Sequence, residues 1–159
     1  MRTTACIIAL LLSSLSQASA QRALSFELAE KEGLTTKHLD SLYQGAVDVD
    51  TTKAVFKTEE AEDQWLKAYK EMLVDFGDFL YNRQYKWKQS TRIFNKVYFN
   101  RDGGIDYFLY RFSGEPSDRP SEEEQAVYGN LLQEFIQTYR VPVSAPVPFT
   151  QCGPVRYEP

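Results

Sequence analysis

Residues 92–112 read RIFNKVYFNRDGGIDYFLYRF, and this stretch predicts the β-hairpin around which the fold is built. Its first eight and last eight residues are rich in aromatic and β-branched side chains, and the Asp-Gly pair at 102–103 lies between them. This arrangement is a strong hairpin signal. If the Asp-Gly pair alone forms the loop, Val97 pairs with Phe108. A three-residue loop shifts the pairing by one residue, and the sequence leaves both registers open.

The same stretch resembles the middle of an oxygen-rich calcium loop around Asn100 and Asp102. A loop of the EF-hand type needs an oxygen ligand at position 1 and a glutamate at position 12. Aligning Gly103 with the loop's invariant glycine places Tyr98 and Leu109 at those positions. Because neither side chain supplies such a ligand, the stretch predicts a turn and no metal site.

Two amphipathic helices are predicted on either side of the hairpin. Residues 59–81 repeat apolar side chains every three or four positions, and Thr58 is a suitable N-cap before a first turn rich in acids. Ser121 and Glu124 form the capping box that begins the second helix. Residues 149–157 predict a last strand. We therefore expect an α+β fold, in which a small antiparallel sheet of hairpin and C-terminal strand packs against two helices.

The first residues have the pattern of a cleavable signal peptide. Arg2 precedes an apolar run at 7–12, and Ala18-Ser19-Ala20 places small residues before Gln21. The apolar run is too short to span a membrane. We expect a periplasmic or secreted protein that does not span the membrane after cleavage. The predicted parts are a signal peptide at 1–20, a helical and loop segment at 21–57, and an α-β-β-α-β domain at 58–159.

Charge and reactive residues narrow the function. The net charge is −4, so a nucleic-acid partner is not expected. His38 is the one histidine, and Cys152 is the one cysteine outside the predicted signal peptide, which is too few for an ordinary zinc site. A secreted enzyme with a Cys152–His38 nucleophile pair is an alternative prediction. Because Cys152 lies in a predicted strand and not at a helix N-terminus, we predict no catalytic residue and no cofactor.

Aromatic residues are the remaining signal. Tyrosine and tryptophan combine an apolar body with a polar tip, so they suit contacts with a peptide or a sugar when exposed. Large aromatic side chains also build cores, and most of them are expected there. The residues expected to contact a partner are Trp87, Tyr107, Tyr110, Arg156 and Tyr157. A third possible function, small-ligand binding, requires a pocket between helices and sheet.

Three segments of residues 92–158 resemble the C-terminal domain of TonB-type energy transducers. They are the hairpin KVYFNRDGGIDYFLYRF, the helix SEEEQAVYGNLLQEFIQTY and the final strand PFTQCGPVRY. The resemblance implies a compact β-β-α-β domain in the periplasm that pairs a sheet edge with a short segment of an envelope protein. Those transducers have an uncleaved membrane anchor and a proline-rich spacer, where this chain has a predicted signal peptide and a helical segment. The chain also resembles small secreted bacterial proteins of unknown function. The resulting hypothesis is a non-enzymatic protein that binds a protein or peptide along a sheet edge.

Overall fold

The structure is a computed structural model that describes residues 21–159, so the predicted signal peptide lies outside the described residues. The elements are, in chain order, β1 (Arg22–Ser25), α1 (Phe26–Lys31), α2 (Thr36–Asp40), β2 (Gln44–Gly45), α3 (Glu59–Asn82), β3 (Thr91–Phe99), β4 (Ile105–Ser113), a short 3-10 helix (Pro116–Asp118), α4 (Glu122–Thr138) and β5 (Phe149–Tyr157). The fold is α+β, as predicted.

The five strands form one mixed sheet in the order β1-β4-β3-β5-β2. Its centre is antiparallel as predicted, because β3 pairs with both β4 and β5. The expectation of a purely antiparallel sheet is wrong, since β1 joins β4 and β2 joins β5 in parallel. Both added strands come from the segment 21–57. At four and two residues they are too short to show the alternation by which a strand is recognised in a sequence.

The hairpin has the register expected for a two-residue loop over most of its length. Val97 lies opposite Phe108, and the same pairing continues to the far end of both strands. The register then shifts between Tyr98 and Phe99, so the turn is longer than two residues. Asn100 N donates to Gly104 O at 2.9 Å across this turn.

The turn is held by its own polar groups and by the chain after α4. Asn100 Oδ1 accepts from the backbone amides of Asp102 and Gly104, both at 3.0 Å. Val141 N donates to Gly103 O at 3.0 Å. Gly103 has a φ of +78°, and a Cβ built there would lie 2.4 Å from Val141 O. Only glycine fits this position, because both the backbone angle and the close approach exclude a side chain.

The long helices α3 and α4 cover one face of the sheet, which we call the helix face. Both begin as predicted: Thr58 Oγ1 accepts from Ala61 N, and Ser121 and Glu124 form a complete capping box. Alternate residues of the three central strands point into this face, and with the helices they form the main core around Trp65. None of the described helices combines the length and apolar character needed to cross a membrane.

The opposite face of the sheet, here the second face, is covered only in part. Tyr98 and Leu109 point to this side, and they pack with Leu24, Ala29 and Leu39 in a second, smaller cluster. Those three residues belong to β1, α1 and α2. The segment 21–57 therefore supplies a strand to each sheet edge and a small layer to the second face.

Candidate partner-binding edge

One edge of the sheet is closed and the other is largely open. On the closed side, β1 pairs with β4 along Arg22–Ser25. On the other side, β2 pairs with β5 only at Phe149 and Thr150. Among residues 21–159, no strand pairs with the outer side of Gln151–Tyr157, while β3 pairs with its inner side throughout. We call Gln151–Tyr157 the open edge.

Contacts with the β2 segment show which backbone groups of β5 point outward. The carbonyls of Pro148 and Thr150 accept hydrogen bonds from that segment at 3.1 and 2.8 Å. Because backbone groups alternate in direction along a strand, those of Cys152, Pro154 and Arg156 also point outward. Proline has no N–H, so the open edge has donors at positions 152 and 156 only. A proline facing outward from an edge strand limits indiscriminate pairing without weakening the inner ladder.

Helix α3 runs along β5 and leaves apolar side chains beside the open edge. Trp65 Nε1 donates to Gln151 Oε1 at 3.0 Å near one end, and Gly77 contacts the Tyr157 ring near the other. Residues that follow at helical spacing on this side of α3 form a partly exposed apolar surface. We call this surface the α3 stripe; it consists of Leu66, Leu73, Val74, Gly77 and Tyr81.

Helix α4 lies on the other side of α3, away from this stripe. Tyr139 Oη of the chain after α4 donates to Asp75 Oδ2 at 2.7 Å, and the ring centroids of Phe79 and Phe135 are 5.6 Å apart. Nine residues separate Asp75 from Leu66, which places the two on opposite sides of an α-helix. The α3 stripe therefore lies beside the open edge, and no other helix packs on it within the described residues.

An aromatic pocket lies where the open edge ends. It has a volume of about 410 Å³, and the Trp87 and Tyr157 rings stack in it with centroids 4.8 Å apart. Volumes of roughly 300–1,000 Å³ are typical of small-molecule and side-chain pockets. The residues that line it are Gly77, Leu80, Tyr81, Tyr85, Lys86, Trp87, Tyr157, Glu158 and Pro159.

Two tyrosines of this pocket, Tyr85 and Tyr157, are uncharged near neutral pH. Burial raises the pKa of Tyr85 to about 12, and the Glu124 carboxylate adds to this effect. Burial also holds the pKa of the Tyr157 hydroxyl well above its ordinary value. The charged groups of the pocket are Lys86 and Glu158, one of each sign. The pocket therefore offers a neutral aromatic surface, which suits an apolar or planar side chain.

Several buried polar groups have no hydrogen-bond partner among residues 21–159. The amide of Asn95, which is fully buried, makes no hydrogen bond through either of its polar atoms. It lies opposite Gly153, and a Cβ built on that glycine would meet nothing within 4 Å. The other unpartnered groups are the hydroxyls of Tyr69, Tyr128 and Tyr157. Unpaired buried polar groups are rare and costly, and one of these groups, the Tyr157 hydroxyl, belongs to a residue that lines the aromatic pocket.

The residues predicted to contact a partner divide into two groups. Trp87 and Tyr157 stack on each other at the aromatic pocket, and Arg156 is exposed on the adjoining open edge. Tyr107 and Tyr110 lie on β4, whose outer side is paired with β1. Tyr110 is also only 8% exposed, because it points into the main core, so the expectation of an exposed aromatic at this position is wrong.

Sequence reasoning missed the exposed part of the α3 stripe. Leu66 and Leu73 follow the apolar period of the helix, so the pattern assigned them to a single core-facing surface. In the structure Leu66 is 39% exposed and Tyr81 is 79% exposed. The sequence did contain a signal for this exposure: the apolar surface of α3 is wider than packing against one sheet requires.

The alternative nucleophile pair gains no support from the geometry. Cys152 lies on the second face of the sheet and is exposed, where a lone cysteine in a strand is more often buried. His38 on α2 is also exposed, and no hydrogen bond joins the two side chains in the described part of the chain. Within residues 21–159, no three His, Cys, Asp or Glu side chains come together as a metal site would require.

Comparison of the chain with protein-family models, with curated proteins and with solved structures found no match. The resemblance to the C-terminal domain of TonB-type transducers therefore stays a prediction. The chain order β3-β4-α4-β5 agrees with the implied β-β-α-β order. The two parallel edge strands are an addition that this resemblance did not imply.

Proposed function

We propose that this protein is a non-enzymatic periplasmic or secreted protein that binds an extended segment of a protein or peptide along the open edge of β5. The observation that carries the proposal is the unpaired outer side of Gln151–Tyr157, which lies beside the α3 stripe and the aromatic pocket. In strand addition, main-chain hydrogen bonds supply affinity and neighbouring pockets select side chains. Both parts are present at one edge of this sheet.

The open edge differs from an edge that is open by accident. A bound strand would form hydrogen bonds with the outward groups of Cys152 and Arg156, and its side chains on the helix face would lie under Leu66, Leu73 and Tyr81. Placing them there would remove apolar surface from water on both partners, at about 25 cal/mol per Å² of area. The proline at 154 interrupts the donor row, which disfavours pairing with arbitrary strands.

Amide hydrogen exchange of the purified protein tests this proposal. Peptides that bind would first be selected from a random library displayed on phage. Strand addition is expected to slow exchange at the outward amides of Cys152 and Arg156, while Gly153 and Val155, which already pair with β3, change little. A bound peptide that leaves the two outward amides unprotected would overturn the proposal. Protection that rises with protein concentration alone would instead show pairing between two copies, and would overturn it as well.

A matched pair of variants separates backbone pairing from side-chain contact. Cys152→Pro removes the outward N–H without touching the β3 ladder, whereas Cys152→Ala removes only the thiol. The proline variant is expected to lose about tenfold or more in peptide affinity, roughly the contribution of one or two main-chain hydrogen bonds. The alanine variant is expected to bind like the wild type. Equal affinities for both variants would contradict strand addition.

A second candidate function, small-ligand binding, is favoured by the unpartnered hydroxyl of Tyr157, a residue that lines the aromatic pocket. A neutral molecule seated against Trp87 and Tyr157 would direct a hydroxyl or amide group inward. The same exchange experiment distinguishes the two functions. A small ligand is expected to protect groups around the pocket and to leave the outward amide of Cys152 unchanged.

A further inference from the structure

Three arginines lie on the second face of the sheet. Arg92, Arg111 and Arg156 are exposed and belong to β3, β4 and β5. Arg92 lies directly opposite Arg156 on the neighbouring strand, and Arg111 lies opposite Phe94 one row further along. We call these three residues the arginine face. Arg156 belongs to the open edge, so the arginine face reaches the strand at which a partner would pair.

No carboxylate neutralises these three arginines within the described residues. The ion pairs of the described chain use other cations, among them Lys96, which bridges to Asp40 at 2.7 Å on the same face. Asp118 shares a cavity of about 220 Å³ with Arg92 and Arg156. Glu27 and Glu30 of α1 share another cavity of about 220 Å³ with Arg111. None of these acids forms an ion pair with the arginine beside it.

This arrangement is unfavourable for folding alone. Like charges directly opposite each other on neighbouring strands are destabilising. The chain has a net charge of −4, yet these three arginines take part in none of its described ion pairs. Arg111 is positioned by its contacts, with its guanidinium 5.7 and 5.9 Å from the ring centroids of Phe26 and Phe94. An anion that binds here would relieve the repulsion and would form charge-assisted hydrogen bonds with the guanidinium groups.

We propose that the segment bound at the open edge is an acidic peptide in which apolar and acidic side chains alternate. The inference rests on the proposed function. Side chains of an added strand point alternately to the two faces of the sheet. Those on the helix face would meet the α3 stripe and the aromatic pocket, so they are apolar. Those on the second face would lie about 5 Å from Arg156, with Arg92 one strand beyond, so they are aspartate or glutamate.

Three blocked peptides test this inference, each of about nine residues so that it spans the open edge. All carry valine at alternate positions, and the positions between are glutamate, glutamine or lysine. At low salt the glutamate peptide is expected to bind about three- to tenfold more tightly than the glutamine peptide, as one or two exposed ion pairs would produce. The lysine peptide is expected to bind most weakly. High salt should reduce these differences, because exposed charges are screened.

Charge reversal assigns the effect to the arginine face. Arg156→Glu is expected to abolish the preference for the glutamate peptide and to favour the lysine peptide. Arg101→Glu makes the same change of charge in the exposed hairpin turn, at the other end of β3, and should keep the wild-type preference. Equal binding of the three peptides, with Cys152 and Arg156 amides protected, would overturn the inference and leave the proposed function intact. If no peptide protects those amides, the proposed function itself fails.

Discussion

The two long helices each place a glycine against a tyrosine of the sheet, but the two contacts differ. A Cβ built on Gly129 of α4 would lie 2.5 Å from Tyr110 Oη, closer than real Cβ contacts allow. A Cβ built on Gly77 of α3 would lie 3.6 Å from Tyr157 Cε1, an ordinary contact distance. The half of the sheet around β4 is packed as closely as atoms permit, while the half around β5 keeps room. The open edge lies in the half with room.

The sheet edges differ in the same way. At the closed edge, the outer side of β1 is itself satisfied, because Gln133 of α4 accepts from Ala23 N at 2.8 Å and donates to Gln21 O at 2.9 Å. The Gln133 side chain thus forms hydrogen bonds with backbone groups that a further strand would otherwise pair with. On the open edge, Gln151 Nε2 donates to the outward carbonyl of Cys152 at 3.1 Å, but among the described residues no side chain accepts from the outward N–H groups of Cys152 and Arg156. Protecting one edge and leaving the other free is how a sheet protein keeps a single place for pairing.

The largest expected loss of stability comes from a mutation at the closed edge. Leu24 of β1 is buried in the second cluster, so Leu24→Ala removes packing and leaves a cavity. We expect the free energy of unfolding to fall by about 3 kcal/mol, within the range for buried leucines. Urea denaturation measures it. Cys152→Ala, on the exposed face of the open edge, is the control and should change stability by less than about 0.5 kcal/mol. Similar losses at the two positions would contradict the contrast between the edges.

Replacing each of the two glycines by alanine tests directly whether the two halves of the sheet are packed differently. Gly129→Ala should lower the free energy of unfolding by about 1–3 kcal/mol, because the new methyl group must displace Tyr110. Gly77→Ala should raise it by up to about 1 kcal/mol, since alanine favours the helix and has space. Adding Tyr110→Phe to Gly129→Ala removes the obstructing hydroxyl and should recover part of the loss. Losses of equal size at both glycines would show that the two halves are packed alike.

A smaller change is expected where the two halves meet. Asn95 of β3 lies between Tyr110 on the closed side and Gly153 on the open side, and its amide has no partner among the described residues. Asn95→Leu should raise the free energy of unfolding by about 1 kcal/mol, because it removes an unsatisfied buried polar group at nearly constant shape. Asn130→Leu, at an exposed position of α4, is the control. A loss of stability in Asn95→Leu would contradict this expectation and would indicate that the amide holds a polar molecule.

The central elements could be predicted because each carries a local signal. Thr58 and Ser121 mark the helix starts, the Asp-Gly pair marks the hairpin, and β5 was placed to the residue. The register expected for a two-residue loop is one of the two that the sequence left open. It is the register observed over most of the hairpin, although the turn is longer than two residues. These features depend on neighbours a few residues away, and such interactions are what a sequence pattern records.

The two sheet edges could not be predicted, although the proposed function rests on them. Residues 22–25 pair with a strand more than eighty positions later, and nothing in four residues reports that partner. The same pairing covers the outer side of β4, the strand that carries Tyr107 and Tyr110, so this edge of the hairpin is not free for a partner. The free outer side of β5 follows from the shortness of β2, which is likewise a property of the whole sheet. Trp87 and Tyr157, which the sequence predicts as partner contacts, share a pocket that also needs Gly77 and Tyr81 of α3, and no local pattern indicates that arrangement.

The smallest effect concerns the link between the two halves. Lys88, in the chain that leads from α3 to β3, bridges to Glu124 at the start of α4 at 2.7 Å. The Lys88 hydrogen bond, followed by those of Ser121, lowers the pKa of Glu124 from 4.5 to about 2. Because the pKa is lower in the folded state, the carboxylate contributes stability above about pH 4.5, and this contribution is lost as the pH falls toward 2. Glu124→Gln should therefore flatten the loss of stability over that interval in acid denaturation, whereas Glu123→Gln should not. Matching acid profiles for the wild type and Glu124→Gln would show that this bridge does not join the closed half to the open one.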